Sequence, residues 1–356
     1  MTAPGGPMTL PPLPEQPLVS VLVTLFNYES YIGECVRSAL ASTYGRLEVV
    51  VFDDASTDGG PDIVREIARG DDRVRLLVSP ENVGKVVATS EGFSATSGSI
   101  ICLLDADDAF EPEKIGDVVQ AFRASPRAGV ALHPLVMVGA DGSTSLGKYP
   151  VLTPIPTGWI RDRALAAGGL MAGVPPTSGI SIRREVAHRI FPLSRRRGAQ
   201  DNEIMAKSAM ITEFTALPAT LGRYRVHTSN ASGIGNQDEG VARFAIKKDS
   251  ELRDEVATWV ADLPGGAGLK VAPWTETLDY WQWALALALA RGERIHAWKA
   301  SRSAAHSAEF ANLPFTRQWF LRLSPFLPQW GFRAMVGPGR FGRLVAALGS
   351  RLRGPL

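Results

Sequence analysis

The sequence predicts an α/β protein, a mostly parallel sheet with helices on both faces, followed by a helical C-terminal region. Continuous apolar, β-branched runs recur through the first 140 positions, the pattern of strands buried on both faces. Segments with helical periodicity separate them, so the connections are crossovers and the strands run parallel. From about residue 237 onward only helical patterning remains.

Residues 1–17, rich in Pro and Gly, read as a disordered lead-in. LVSVLVTLF (18–26) is the first buried strand. The stripe Ile32, Val36, Ala39, Leu40 makes the next segment a helix, and LEVVVF (47–52) is the second strand. Pro61 suits the first turn of the helix GPDIVREIA. VRLLV (74–78) is a strand, GKVVATSEGFSAT (84–96) a helix and SIICLL (99–104) the fourth strand. Pro112 is expected to start the next helix, and AGVALHPLVMV (128–138) to form a fifth strand. Beyond 140 the alternation loosens. GISIRR (179–184) enters a helix, and QDNEIMAKSAM (200–210) is helical. EFTAL and TLGRYRVH are expected to form an antiparallel pair turning at Pro218. Segments 275–292 and 293–306 read as a helix pair.

Composition excludes little. The 356 residues, 45% hydrophobic and 21% charged, are ordinary for a globular protein, and a net charge of +2 names no partner. Cys35 and Cys102 lie in apolar contexts and read as buried thiols in a reducing compartment. No basic segment followed by an apolar run opens the chain, so no signal peptide is expected, and WALALALA (283–290) is too short to span a bilayer. After Glu309 come seven arginines and no acid, with Trp and Phe interleaved. This tail over 310–356 reads either as an interfacial segment for an anionic membrane or as a helical cap with solvated arginines. No nucleic-acid motif accompanies it.

The chemistry gathers at strand ends. In an open parallel sheet, ligands bind outside the carboxyl ends of the strands. Thr24, Phe26, Asn27 and Tyr28 end the first strand, Asp53 and Asp54 the second, and Asp105, Asp107 and Asp108 the fourth. Alone, Asp53-Asp54 reads as readily as a turn with a helix cap, and Asp105, Asp107 and Asp108 read less readily as a cap for the helix near Pro112. Together on one edge they repel unless a cation lies among them. Mg²⁺ or Mn²⁺ fits such oxygen donors and completes its shell with phosphate oxygens, which points to a nucleotide diphosphate.

The segments VSVLVTLFNYESYIGECVRSAL, VVVFDDASTDGGPDIV, PENVGKVVATSEGFSATSGSIICLLDADDAFEPEKI and YRVHTSN resemble, in order and spacing, the family 2 glycosyltransferases with the GT-A fold. The resemblance covers about residues 18–230 and implies a GT-A domain over 18–235. Its nucleotide-sugar half would span 18–110, its acceptor half 111–235, and a helical region with the basic aromatic tail 236–356. It implies that Thr24, Phe26 and Asp53 hold the nucleoside, with Phe26 stacking on the base. Asp105 would sit near the ribose or the metal. Asp107 and His227 would ligate Mn²⁺ or Mg²⁺, and Asp201 would be the catalytic base. Ser178 and Gly179 would lie near the acceptor, in a segment that also reads as a simple turn into a strand.

Two positions depart from the family. Gln200 stands where an acidic residue usually precedes the base, and Ala88-Thr89-Ser90 replaces an Ala-Arg-Asn triplet, leaving Lys85 as a substitute contact for the diphosphate. The implied activity is an inverting, metal-dependent transfer from a nucleotide-diphospho-sugar, with UDP the implied nucleotide. The acceptor would be a glycan or lipid-linked sugar, inside the cell or at the inner face of its membrane. The alternatives are a catalytically silent relative serving as a binding or assembly subunit, and a nucleotidyltransferase. The second would want a Gly-rich basic loop after the first strand, which TLFNYES does not provide.

Overall fold

The computed structural model describes residues 6–149, 155–169, 174–194, 200–227, 239–273 and 294–306, with positions 275, 277 and 284. The chain divides into two compact units. The first holds residues 1–164, 170–225 and 259–268, and the second holds 165–169, 226–258 and 269–356. The junction falls after Arg225 rather than at 235/236, and 259–268 return to the first unit.

The first unit begins with strictly alternating elements: β1 (Val19–Leu25), α1 (Glu29–Leu40), β2 (Leu47–Asp53), α2 (Gly60–Gly70), β3 (Val74–Val78), α3 (Lys85–Ser94) and β4 (Ile100–Asp105). After the short β5 (Ala109–Phe110) come α4 (Lys114–Ala124), β6 (Ala128–Leu132), β7 (Leu135–Val138), β8 (Ser145–Tyr149) and α5 (Arg161–Ala166). Then follow β9 (Ile180–Arg183), α6 (Arg184–Ile190), α7 (Gln200–Ile211), β10 (Glu213–Ala216) and β11 (Gly222–Arg225). The main sheet has seven strands in the order β10-β6-β9-β4-β1-β2-β3, and a second has four, β5-β11-β7-β8. In the main sheet only β9 runs antiparallel, between β4 and β6. This is the mostly parallel GT-A architecture that the sequence predicts.

Alternation along β1, β2 and β4 sorts the core. Val19, Val21, Val23, Val49, Val51, Ile100, Cys102 and Leu104 face α1, α2 and α4 through Ile32, Val36, Val64, Val118 and Phe122. Helix α3 packs on the opposite face, where a Cβ on Gly92 would come within 2.6 Å of Leu22. Cys35 and Cys102 are buried free thiols.

Several expectations need correction. The single strand over 128–138 is two strands in different sheets. His133 N–H still bonds Gly179 O (3.1 Å), but Pro134 has no N–H with which to continue the ladder. The chain therefore changes sheets there. EFTAL and TLGRYRVH do not pair with each other. β10 lies parallel to β6, while β11 joins β5 and β7 in the second sheet. Helix α4 starts two residues after Pro112, whose carbonyl instead accepts from Thr43 N–H (3.0 Å). Residues 6–17 are a strap rather than a disordered lead-in. Met8 N–H donates to Ile211 O (2.7 Å), Pro11 O accepts from Arg183 (2.6 Å), Glu15 O from Arg123, and Pro17 O from the Tyr44 hydroxyl (2.6 Å).

The second unit contains most of α8 (Glu239–Ala261) and all of α9 (Arg294–His306). Leu252 and Val256 on α8 are buried, as are Ala297, Ala300 and Ala304 on α9, residues that share one helical face. All but three positions of the expected helix over 275–292, and the whole tail over 310–356, lie outside the described residues. No helix among the described residues is long and apolar enough to cross a membrane.

Candidate active site

Register brings the strand ends together. Leu25 is opposite Asp53, and Thr24 is opposite both Phe52 and Asp105. Thr24, Phe26, Asp53 and Asp105 therefore share one edge, as the sequence predicts. Phe26, the residue after β1, is 43% exposed, an aromatic side chain on which a planar ligand could stack. Asp53 is 1% exposed and accepts from Ser56 N–H at 3.3 and 3.4 Å.

Asp54 has a different task. Its two oxygens accept from Val83 N–H (2.7 Å) and Gly84 N–H (2.9 Å), which fixes the turn into α3. Burial raises its proton affinity, and those two bonds oppose the rise. Gly84 takes φ 86°, a left-handed conformation that glycine adopts without cost. The anchored turn places Lys85 at the head of α3, where its Nζ lies 2.8 Å from Asp105 Oδ1. Burial disfavours the Lys85 charge, yet Asp105, and beyond it Asp201 and Asp107, hold its pKa above the ordinary range.

Asp105, Asp107 and Asp108 offer carboxylate oxygens that all lie within 4.8 Å of one another. Such a group, all hard oxygen donors and mostly buried, suits a divalent cation of the Mg²⁺ or Mn²⁺ kind. The three are not equivalent. Asp108 Oδ2 accepts from the Ser178 hydroxyl (2.5 Å) and its Oδ1 from Arg225 N–H (2.9 Å). Burial, then Asp107 and Asp105, push its carboxyl well above the usual range. Tyr28 stands beside the group. Burial first and Asp107 second push its phenol up to about 12.

Ser178 is fully buried, donates to Asp108 and accepts from Asp105 N–H (3.1 Å), so it braces the acidic turn. Gly179 is buried too, and a Cβ there would lie 2.6 Å from His133 O. Asp201 sits in the first turn of α7, half-buried, its Oδ1 accepting from Asn202 N–H (2.8 Å). His227 follows β11 by two residues and falls in the second unit.

The two departures from the family pattern meet. The Thr89 hydroxyl donates to Gln200 Oε1, and Gln200 Nε2 donates to Thr177 Oγ1 (3.4 Å). A buried neutral bridge thus ties α3 to the start of α7, one residue before Asp201. Sequence reasoning noticed both positions but not their contact.

It also missed Arg225, which stands within the quoted YRVH. Its guanidinium is 4% exposed beneath the acidic turn. Strand alternation carried no signal of it, since it puts Arg225 on the face of the half-buried Arg223, whereas Tyr224 and Arg225 are both buried.

Known proteins fit this geometry. The glycosyl transferase family 2 model matches residues 20–187. An uncharacterized glycosyltransferase of Nostoc sp. is 30% identical over 240 residues, 65% of this chain and 73% of the relative. The chain belongs to glycosyl transferase family 2. Within that family it is also similar to TuaG of Bacillus subtilis, whose name assigns it to teichuronic acid biosynthesis. The identity there is 33% over 134 residues, 38% of this chain and 52% of the relative. The mannosyltransferase PcManGT from Pyrobaculum calidifontis, solved with GDP-Man and Mn²⁺, matches the fold with a TM-score of 0.54. It is 19% identical and covers 99% of this chain and 92% of that one. Membership in glycosyl transferase family 2 makes the protein a transferase with a GT-A fold.

Proposed function

We propose that this family 2 glycosyltransferase moves a sugar, with inversion, from a nucleotide-diphospho-sugar to a hydroxyl of a cell-envelope glycan or lipid-linked acceptor. The observation that carries the reading is the single sheet edge on which Phe26, Asp53, the three-aspartate group and Lys85 converge. UDP is the nucleotide that the family resemblance implies, and the likeness to TuaG supports an envelope polysaccharide as the setting.

Phe26 and Thr24 hold the base and nucleoside, and Asp53 accepts from the ring edge. Asp105 would sit near the ribose or the metal, and Asp107 would hold Mn²⁺ or Mg²⁺, which when bound would neutralise charge on the diphosphate leaving group. Lys85 supplies a fixed positive charge beside the same group. Asp201, in the first turn of α7, takes the acceptor proton. With one base and no nucleophile from the protein, the displacement is single. The tail over 310–356 would rest on the inner face of the membrane.

Calorimetry of UDP with Mn²⁺ tests the reading. Binding that depends on the metal and disappears in Asp107→Asn is expected. Asp201→Asn should bind as tightly as the wild type and lose transfer by about 10²-fold or more. No metal-dependent nucleotide binding sinks the donor site. Undiminished transfer by Asp201→Asn removes the base and favours another proton acceptor.

A further inference from the structure

We infer that Arg225 is the positioning residue of the acidic turn, holding Asp107 and Asp108 in the arrangement that receives the cation. This deepens the donor-site reading and rests on it. The turn from Asp105 to Asp108 ends β4 and carries three carboxylates in a small volume. Mutual repulsion would spread such a turn unless bonds from beneath held it.

Arg225 alone supplies two of those bonds. Its main-chain N–H donates to Asp108 Oδ1 (2.9 Å), and its Nε donates to the Asp107 carbonyl (2.9 Å). One residue therefore grips both a side chain and the backbone of the turn. The remaining nitrogens fix the guanidinium itself. Nη1 donates to Ala140 O (3.0 Å), Nη2 donates to Glu34 Oε2 (2.6 Å), and the group lies 5.0 Å from the centroid of the Tyr31 ring.

Three elements thereby meet at the turn: α1 through Glu34 and Tyr31, the segment after β7 through Ala140, and β11 through Arg225. Ser178 grips the other oxygen of Asp108. Both Asp108 oxygens are committed to this scaffold, which assigns Asp108 to holding the turn. A planar fork with fixed directions can satisfy these acceptors at once, whereas a lysine offers a single point of charge. Groups that orient a metal ligand from behind typically change metal affinity by about 10–100-fold when removed.

The test compares wild type, Arg225→Lys, Arg225→Met, Glu34→Gln and Asp107→Asn. It measures Mn²⁺ affinity with UDP by calorimetry, free Mn²⁺ by electron paramagnetic resonance, and thermal melting without metal. Arg225→Met should weaken Mn²⁺ binding by about 10–100-fold, Arg225→Lys should recover part of the loss, and Glu34→Gln should weaken it by about threefold or more. Glu34 is half-exposed, so its variant keeps the test open if Arg225→Met fails to fold. In transfer assays the loss should appear in KM for the metal–nucleotide donor before kcat.

Folded Arg225→Lys and Glu34→Gln proteins with wild-type Mn²⁺ affinity overturn the inference, even if melting falls. Wild-type binding that Asp107→Asn removes, but Arg225→Met leaves untouched, overturns Arg225 alone. No binding by the wild type overturns the donor-site reading and this inference together.

Discussion

Lys114, at the first turn of α4, has no exposed surface. Its Nζ has no hydrogen-bond partner among the described residues and lies 3.7 Å from the centroid of the Phe110 ring. Burial lowers its pKa from 10.5, with Cys102 acting in the opposite direction. A buried amine without an ionic partner costs more than an apolar group of similar shape, and the Phe110 ring and Cys102 offset only part of that cost. Lys114→Met should therefore gain about 1–3 kcal/mol in denaturant unfolding. The unfolded chain holds the Lys114 proton more tightly than the folded one. The wild type thus gains stability as pH rises toward 10.5, and the advantage of the variant shrinks. A gap that stays constant between about pH 7 and about pH 10 would count against a shifted lysine. The same scale shows what sequence could reveal. The shared edge of Asp53, Asp105 and Asp107 was legible, because acids that end neighbouring parallel strands must lie on one side of the sheet. Ser178 and Arg225 were not. Their meaning lies in bonds to Asp108 from residues 70 and 117 positions away, a separation that no local pattern encodes.

The loops after β1 and β2 act as one element. Asn27 N–H donates to Ser56 Oγ (3.0 Å) and Thr57 N–H to Asn27 Oδ1 (2.8 Å). Glu29 N–H donates to Asp58 Oδ2 (2.9 Å) and Gly59 N–H to Glu29 Oε2 (2.7 Å). Within these loops Asn27 and Ala55 take positive φ, 57° and 60°. Asparagine tolerates that conformation, and alanine bears a cost of about 1–2 kcal/mol. Ala55→Gly removes the cost and returns part of it as unfolded-state entropy, for a net gain of about 0.5–1 kcal/mol. Chemical denaturation checks this, and equal or lower stability of the variant refutes it. Elements with strong periodicity were read from sequence nearly to the residue, as β3 at Val74–Val78 shows. The second sheet was not. β5 has two residues, and β8 is a largely exposed strand with Gly147 at its centre. Neither carries the apolar alternation by which a strand announces itself. The reversed direction of β9 was equally invisible, since strand polarity is a tertiary fact.

On the scale of the whole molecule, the strap over residues 6–17 crosses the edge opposite the candidate site. Its partner Arg183 pairs in register with Ile100, the first residue of β4, far from Asp105. Deleting residues 2–13 removes the Met8 and Pro11 bonds and the packing of Leu13 on the core. It also leaves Arg183, 1% exposed, with Glu185 as its remaining side-chain partner among the described residues, at 3.2 and 3.3 Å. The truncated protein should lose about 2–4 kcal/mol in denaturant melts. Its UDP–Mn²⁺ affinity should stay within about twofold of wild type. Unchanged stability would mean that the strap merely rests on the surface. The antiparallel strand β9 carries a different consequence, for the order in which the chain is made. β4 and β6 emerge from the ribosome with a gap one strand wide between them, and Ile180–Arg183 must arrive to fill it. At about 5–20 residues per second that gap stands open for roughly 2–10 seconds. During that time two bare backbone edges are available to any neighbouring nascent chain. A nascent chain stalled before Ile180 is therefore where aggregation would begin.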